Sequence, residues 1–311
     1  MEFERTQGMI LGIDIGGTTT KLGLVRDGKV LAHARIGTNE RADEHAFADA
    51  IAKTAKDLIG ASSLPDLRAI GIGAPNGNQL TGMIEMAPNL PWKNDVPLAK
   101  MIAERMGVPT TLGNDANAAA LGEWRFGAGQ GTKDLVVVTL GTGVGSGFIV
   151  NGQLVLGSAG NAGELGHTTL VMDGRPCTCG RAGCLEAYVS IRGIRQTYAD
   201  LGGDADVLKM EGVKAIADAA EHGEKAAHFT FQWTADWLAV GLANAVAMTG
   251  PSRVILFGGI ARSGDLLMTP LQARFKKVLL NIYQGRVDLA LSSLPADDAA
   301  LLGAAALTTL R

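Results

Sequence analysis

Four side chains that can bind a soft metal ion crowd into the stretch from His167 to Cys184. His167, Cys177, Cys179 and Cys184 form a Cys₃His set, and they include all three cysteines of the chain and one of its five histidines. Three thiolates and an imidazole match the tetrahedral donor set of structural zinc. The competing reading is three free thiols. Gly180 and Gly183 supply the turns that would fold the cysteines onto one ion, and four protein ligands would leave that ion no open position for chemistry. Two carboxylates, Glu164 and Glu186, flank the set, so the same knot could form the wall of a polar pocket.

A second chemistry is written in two glycine loops. Asp14-Ile15-Gly16-Gly17-Thr18-Thr19-Thr20-Lys21 follows an apolar run, and its glycines let backbone N–H groups approach an anion. Three threonine hydroxyls and Lys21 add donors, and Asp14 could hold Mg²⁺ directly or through water. A plain β-turn is the alternative. Gly141-Thr142-Gly143-Val144-Gly145-Ser146-Gly147 follows the apolar run Leu135–Leu140 and matches neither common nucleotide fingerprint in register. Its place suits a second phosphate loop. Gly258-Gly259, after Arg253–Phe257, could admit the adenosine of a nucleotide. In Gly113-Asn114-Asp115, Asn114 suits a helix N-cap and Asp115 the first turn, where the helix dipole favours an ionised carboxylate. Such a group can accept a hydroxyl proton as the oxygen attacks phosphorus, although an ordinary first-turn acid would read the same way.

These loops must be held by strands and helices. Ile10–Leu31 and Asp134–Val155 align at a fixed offset of 124 residues, with Gly17-Thr18 on Gly141-Thr142 and Asp27-Gly28 on Asn151-Gly152. Each copy is an apolar run, a glycine loop, a second run, an Asx-Gly hairpin turn and a third run, which predicts a duplicated unit. Helical periodicity covers Asp43–Ile59, Leu98–Met106, Asp115–Phe126, Lys225–Thr249, Leu266–Asn281 and Ala299–Leu310. Short strands fall at Ala69–Ile72, Thr110–Leu112, Arg253–Phe257 and Val287–Ser292. The alternation predicts an α/β protein of two lobes. Residues 1–120, completed by a helix at 299–311, would form the smaller lobe. Residues 121–298 would form the larger lobe, which carries the metal motif of residues 167–184.

Bulk properties exclude several classes. The net charge of −3 gives no footprint for nucleic acid or membrane binding. No run of 18 apolar residues occurs, and the first nine residues lack the apolar core of a signal peptide, so a reduced, cytoplasmic protein is expected.

In this order the pieces resemble the ROK family of bacterial sugar kinases and sugar-responsive repressors, over about Ile10 to Leu310. The most specific part runs from the loop at Gly141 through Gly163-Glu164-Leu165-Gly166-His167 to the Cys-x-Cys-x₄-Cys motif. The resemblance implies an actin/hexokinase-type fold: two ribonuclease-H-like lobes around a central cleft, with a small zinc-binding insertion. It implies Asp115 as the catalytic base. Gly73, Asn89, Asn114, Asp115, Glu164, His167 and Glu186 would line the sugar site, with His167 touching sugar through one ring nitrogen and zinc through the other. Asp14, Gly16, Gly17, Thr18, Thr19, Lys21, Gly141, Thr142, Gly143, Gly258 and Gly259 would bind ATP. One departure is Asn76, where many members have glycine after Pro75. With only nine residues before Ile10, the DNA-binding branch is not expected. The implied activity is an ATP-dependent hexose kinase requiring Mg²⁺, with glucose phosphorylated at its 6-hydroxyl. Kinases for mannose, fructose, N-acetylglucosamine or N-acetylmannosamine are alternatives, as are a non-catalytic sugar-binding regulator and polyphosphate as donor. A homodimer or homotetramer is the implied assembly.

Overall fold

The computed structural model describes residues 8–40, 43–61, 66–86, 90–92 and 94–309. Asn89, one of the expected sugar contacts, lies outside them. The chain divides into two compact units: Met1–Gln130 with Leu154–Ala162 and Ser293–Arg311, and Gly131–Gln153 with Gly163–Ser292.

The first unit opens with an antiparallel meander of β1 (Met9–Ile15), β2 (Thr19–Arg26) and β3 (Lys29–Gly37). Helix α1 (Glu44–Ala61) then crosses to β4 (Leu67–Ala74), which lies parallel to β1. A short hairpin of β5 (Gly77–Asn78) and β6 (Met83–Ile84) and helix α2 (Leu98–Met106) lead to β7 (Thr110–Asn114), parallel to β4. Helix α3 (Asp115–Phe126) follows at once. The main sheet has the order β3-β2-β1-β4-β7.

In the second unit the same order returns. β8 (Leu135–Leu140), β9 (Val144–Val150) and β10 (Gln153–Leu154) form the meander. Helices α4 (Glu186–Val189), α5 (Ile191–Asp200), α6 (Ala205–Lys209), α7 (Lys214–Glu221) and α8 (Lys225–Thr249) precede β11 (Arg253–Phe257). Helix α9 (Asp265–Val278) and β12 (Asp288–Leu291) complete it. The sheet order is β10-β9-β8-β11-β12, with β8, β11 and β12 mutually parallel. The repeat seen in the sequence is therefore a repeat of topology. Both hairpin turns have paired left-handed residues, Asp27 (φ 50°) with Gly28 (φ 73°) and Asn151 (φ 52°) with Gly152 (φ 74°). That is the twist-matched turn which Asx-Gly favours.

Side-chain alternation sets which face of β1 does what. Met9, Leu11, Ile13 and Ile15 enter one core with Phe47 and Ile51 of α1 and Ile102 of α2. Gly12 faces the other way, where α10 (Ala299–Ala306) docks. A Cβ on Gly12 would come 2.2 Å from the Leu301 carbonyl oxygen, and one on Gly71 would come 1.9 Å from that of Ala304. On its other side α10 meets α3, where a Cβ on Gly303 would lie 2.7 Å from the Ala118 carbonyl oxygen. The last helix thus lies against strand backbone, and glycine is what permits it. This packing also keeps α3 in the first unit, whose boundary falls at Gln130 rather than near residue 120.

In the second unit, α8 is stopped by Gly250 (φ 57°), whose N–H donates to the Val246 carbonyl at 2.8 Å. A Cβ on Gly241 would strike the Leu185 side chain at 2.6 Å, so α8 packs tightly on the segment that enters α4. The expected helix at Leu266–Asn281 ends at Val278, and a separate 3₁₀ turn follows at Asn281–Tyr283. The expected terminal helix likewise gives way to 3₁₀ at Leu307–Thr309. Four short helices between Glu186 and Glu221 were not evident in the sequence pattern. Among the described residues no helix is long and apolar enough to cross a membrane.

Gly71→Ala should destabilise the protein by about 2 kcal/mol or more, because backbone opposes the added methyl. Gly60→Ala, with nothing within 4 Å of the added atom, should be neutral or slightly stabilising. Chemical denaturation of both variants checks this; equal midpoints would contradict the docking of α10.

Candidate active site

In the first unit the parallel strands deliver chemistry at their C-terminal ends. Asp14 pairs in register with Gly73, and Gly73 with Gly113. One step further, Ala74 pairs with Asn114, and Asp115 opens α3. The Asn114 side chain caps the helix by accepting from the Ala116 N–H at 2.8 Å, and Asp115 Oδ1 accepts from the same N–H at 2.8 Å. Gly73 lies against this first turn, since a Cβ there would stand 3.9 Å from the Asp115 Cα. Strand register therefore groups Asp14, Gly73, Asn114 and Asp115.

The electrostatics of the group are tense. Asp115 is open to solvent at its tip, yet the protein around it strips enough hydration to raise its pKa, against the lowering effect of the Ala116 N–H. Burial pushes Asp14 up to about 6; Lys21, its cross-strand partner, pulls the other way, and the charge of Asp115 adds to the rise.

The loop after β1 closes by a hydrogen bond from the Gly16 N–H to the Thr19 carbonyl at 3.0 Å. Thr18 and Thr19 stand exposed on it. Thr20 is fully buried and its hydroxyl lies 2.8 Å from that of Thr38, which donates to the Gly16 carbonyl at 2.8 Å. Only two of the three threonine hydroxyls expected on this loop are therefore free of the interior. The third locks the loop from below, because β-strand alternation turns it inward. Asn76, the departure noted above, adopts φ 51°, a left-handed conformation that asparagine tolerates better than most residues, and its amide donates to the Met86 carbonyl at 3.1 Å.

The second unit repeats the device. Between β8 and β9 the Gly141 N–H donates to the Gly143 carbonyl at 3.0 Å, and Thr142 and Gly143 are exposed. The parallel neighbour β11 ends in Gly258 (φ 105°), where a Cβ would come 2.4 Å from the Leu140 carbonyl oxygen. Gly258-Gly259 thus abuts the end of β8, next to the Gly141 loop.

The four metal-binding candidates converge, with all donor atoms within 4.8 Å of one another. Cys179 Sγ lies 3.7 Å from Cys184 Sγ, and Cys177 Sγ lies 3.6 Å from His167 Nδ1. Tetrahedral bonds of about 2.0–2.3 Å require donor spacings of about 3.5–3.8 Å. Gly183 (φ 76°) lets the loop turn against the Val171 carbonyl, 1.7 Å from where its Cβ would be. His167 Nε2 faces the other way, 4.0 Å from Glu164 Oε2, and both that carboxylate and the imidazole edge remain accessible.

Glu186 differs from Glu164. It is nearly buried, Oε2 accepts from the Val144 N–H at 2.9 Å, and Oε1 accepts from the Thr178 hydroxyl at 3.0 Å. This grip on the second glycine loop joins residues 42 apart, and no local pattern announces it.

The sequence model of the ROK family matches residues 10–310. The chain is 35% identical over 310 residues to a glucokinase of Thermotoga maritima, covering 96% of each protein. It is 31% identical over 287 residues to a xylose repressor of Caldicellulosiruptor bescii, covering 88% of this chain and 71% of the repressor. The fold is similar to that of a ROK family glucokinase from Streptomyces griseus in complex with glucose and AMPPNP, at 32% identity and a TM-score of 0.80, covering 96% of this chain and 99% of that one.

Asp14 binds its proton more tightly in the folded protein than its ordinary value of 3.8. Its charge therefore opposes folding above about pH 6 and has no effect once both states are protonated. At pH 8 without divalent metal, Asp14→Asn should be more stable than wild type by on the order of 1–3 kcal/mol. That advantage should fade as pH falls from about 6 toward 4. Thermal melts across this range check it, and a pH-independent difference would contradict it.

Proposed function

The chain belongs to the ROK family, and from that premise we propose that it transfers the γ-phosphate of ATP to the 6-hydroxyl of glucose. The observation that carries the reading is Asp115, an accessible carboxylate of raised pKa on the first turn of α3, in a chain whose full-length relatives include glucokinases. The chain is an ATP-dependent sugar kinase; the residue roles that follow are our assignment.

Asp115 would accept the proton of the attacking hydroxyl. A pKa raised from its ordinary value of 3.8 moves the base toward the pH at which it works. The N-terminus of α3 keeps the carboxylate oriented through the Ala116 N–H. Gly73, Asn89 and Asn114 would complete the sugar contacts on this unit. Glu164 and the accessible edge of His167 would take hydroxyls, because a carboxylate accepts two vicinal donors and an imidazole edge can accept or donate a third. Glu186 would reach sugar only with lone pairs left over from Val144 and Thr178.

The phosphates would be received by Gly16, Gly17, Thr18, Thr19 and Lys21 and by Gly141, Thr142 and Gly143, with Gly258-Gly259 beside the adenosine. Phosphoryl transfer passes through a loose transition state, so placement and charge neutralisation supply most of the rate. Asp14 is the residue that would hold Mg²⁺ through its water shell, and the ion when bound would neutralise developing phosphate charge. The donor identities at His167, Cys177, Cys179 and Cys184 and their gathering within 4.8 Å support zinc in a closed structural site, which would brace Glu164 and His167.

In a coupled assay of ADP release over a panel of hexoses, glucose should give the highest kcat/KM. Asp115→Asn should lower kcat by about a thousandfold or more while glucose affinity changes little. Undiminished turnover in this variant would remove Asp115 from the chemistry, and ADP release with a different hexose favoured over glucose would reassign the substrate.

A further inference from the structure

Val144, the first residue of β9 after the Gly141-Thr142-Gly143 turn, is gripped on both sides of its backbone. Its N–H donates to Glu186 Oε2 at 2.9 Å. Its carbonyl lies against Gly166, close enough that a Cβ there would stand 2.0 Å from the oxygen. The start of the turn is held from the same side: the Ile191 N–H, at the head of α5, donates to the Gly141 carbonyl at 2.9 Å. Segment 186–191 thus pins both ends of the loop, while Thr142 and Gly143 remain exposed between them. A Cβ on Gly143 would sit 2.8 Å from Glu186 Oε2, so glycine is needed for the loop to approach the carboxylate. The other oxygen of Glu186 accepts from the Thr178 hydroxyl at 3.0 Å and lies 3.7 Å from Cys177 Sγ, so the metal-site loop holds it through two neighbouring residues.

We infer that Glu186 is a positioning residue for the nucleotide: through the Val144 N–H it sets the shape of the second phosphate loop, and through Thr178 it ties that shape to the metal knot. This rests on the reading of Gly141–Gly143 as a phosphate loop. A residue that served the sugar alone would leave nucleotide binding without sugar unchanged. Nor can charge explain a loss of affinity, since removing an anion beside a phosphate site would by itself tighten binding. Only loop geometry makes loss of Glu186 weaken it.

The test is calorimetric titration of the Mg²⁺ complex of adenosine 5′-(β,γ-imido)triphosphate into the zinc-loaded protein without sugar. Glu186→Ala strands the buried Val144 N–H and should weaken binding about tenfold. Glu186→Gln keeps an acceptor for Val144 and should stay within about twofold of wild type. Thr178→Val, which removes the shorter of the two contacts to that carboxylate oxygen, should lose about two- to threefold and gives a reading if Glu186→Ala does not fold. Thr142→Ala separates the two premises. If it weakens binding while Glu186→Ala and Thr178→Val do not, the inference is overturned and the loop assignment stands. If none of the three changes affinity, the loop assignment itself fails and the inference with it.

Discussion

Asp14 and Asp115 are held near enough that the charge of one is felt by the other, and the surrounding protein raises the pKa of both by weakening their hydration. Under our assignment a polyphosphate and a hydroxyl would be received in that same neighbourhood. Without compensation such a place would repel its substrate. The remaining architecture of the first unit reads as that compensation. Lys21 stands across the strand from Asp14, exposed backbone and threonine donors follow at Gly16–Thr19, and the positive end of α3 underlies Asp115. Parallel strands make this possible, because their C-terminal ends fall in one row and their helices begin there. The docking of α10 against Gly12 and Gly71 holds the row from behind.

The second unit uses the same topology for a different balance. Its glycine loop occupies the place of the Gly16 loop, but no aspartate precedes it; Thr139 stands there and accepts from the Gly145 N–H at 3.1 Å. The carboxylate of this unit, Glu186, comes from outside the sheet and binds backbone. The two loops thus differ: one carries Asp14 and Lys21 on its flanking strands, and the other is restrained by a neighbouring segment. The Cys₃His cluster belongs to that restraint, since Thr178 links its loop to Glu186 and His167 follows the Gly166 that packs on Val144.

What could be read from the sequence was what is local. The Asx-Gly pairs at Asp27 and Asn151 specify their turns by conformation alone, Asn114 specifies the start of α3 by capping, and the Cys-x-Cys-x₄-Cys spacing specifies a convergence of thiols. The misses are tertiary. Gly12 and Gly71 look like ordinary strand residues until a helix from the far end of the sequence lies on them. Thr20 looks like a third phosphate donor until strand alternation buries it against Thr38. Glu186 looks like a free acid beside a metal motif until the fold brings Val144 to it. The stretch Glu186–Glu221 gave no clear period because its helices are short, and α4, α5 and α7 pack against α8 rather than against a sheet.

The central claim is transfer of a phosphoryl group from ATP to the primary hydroxyl of glucose. Phosphorus-31 NMR of the purified protein with MgATP and glucose tests it most directly. A phosphomonoester coupled to the two protons on carbon 6 should grow in step with ADP, one for one. ADP accompanied by inorganic phosphate, an ester at another carbon, or no turnover at all would contradict it.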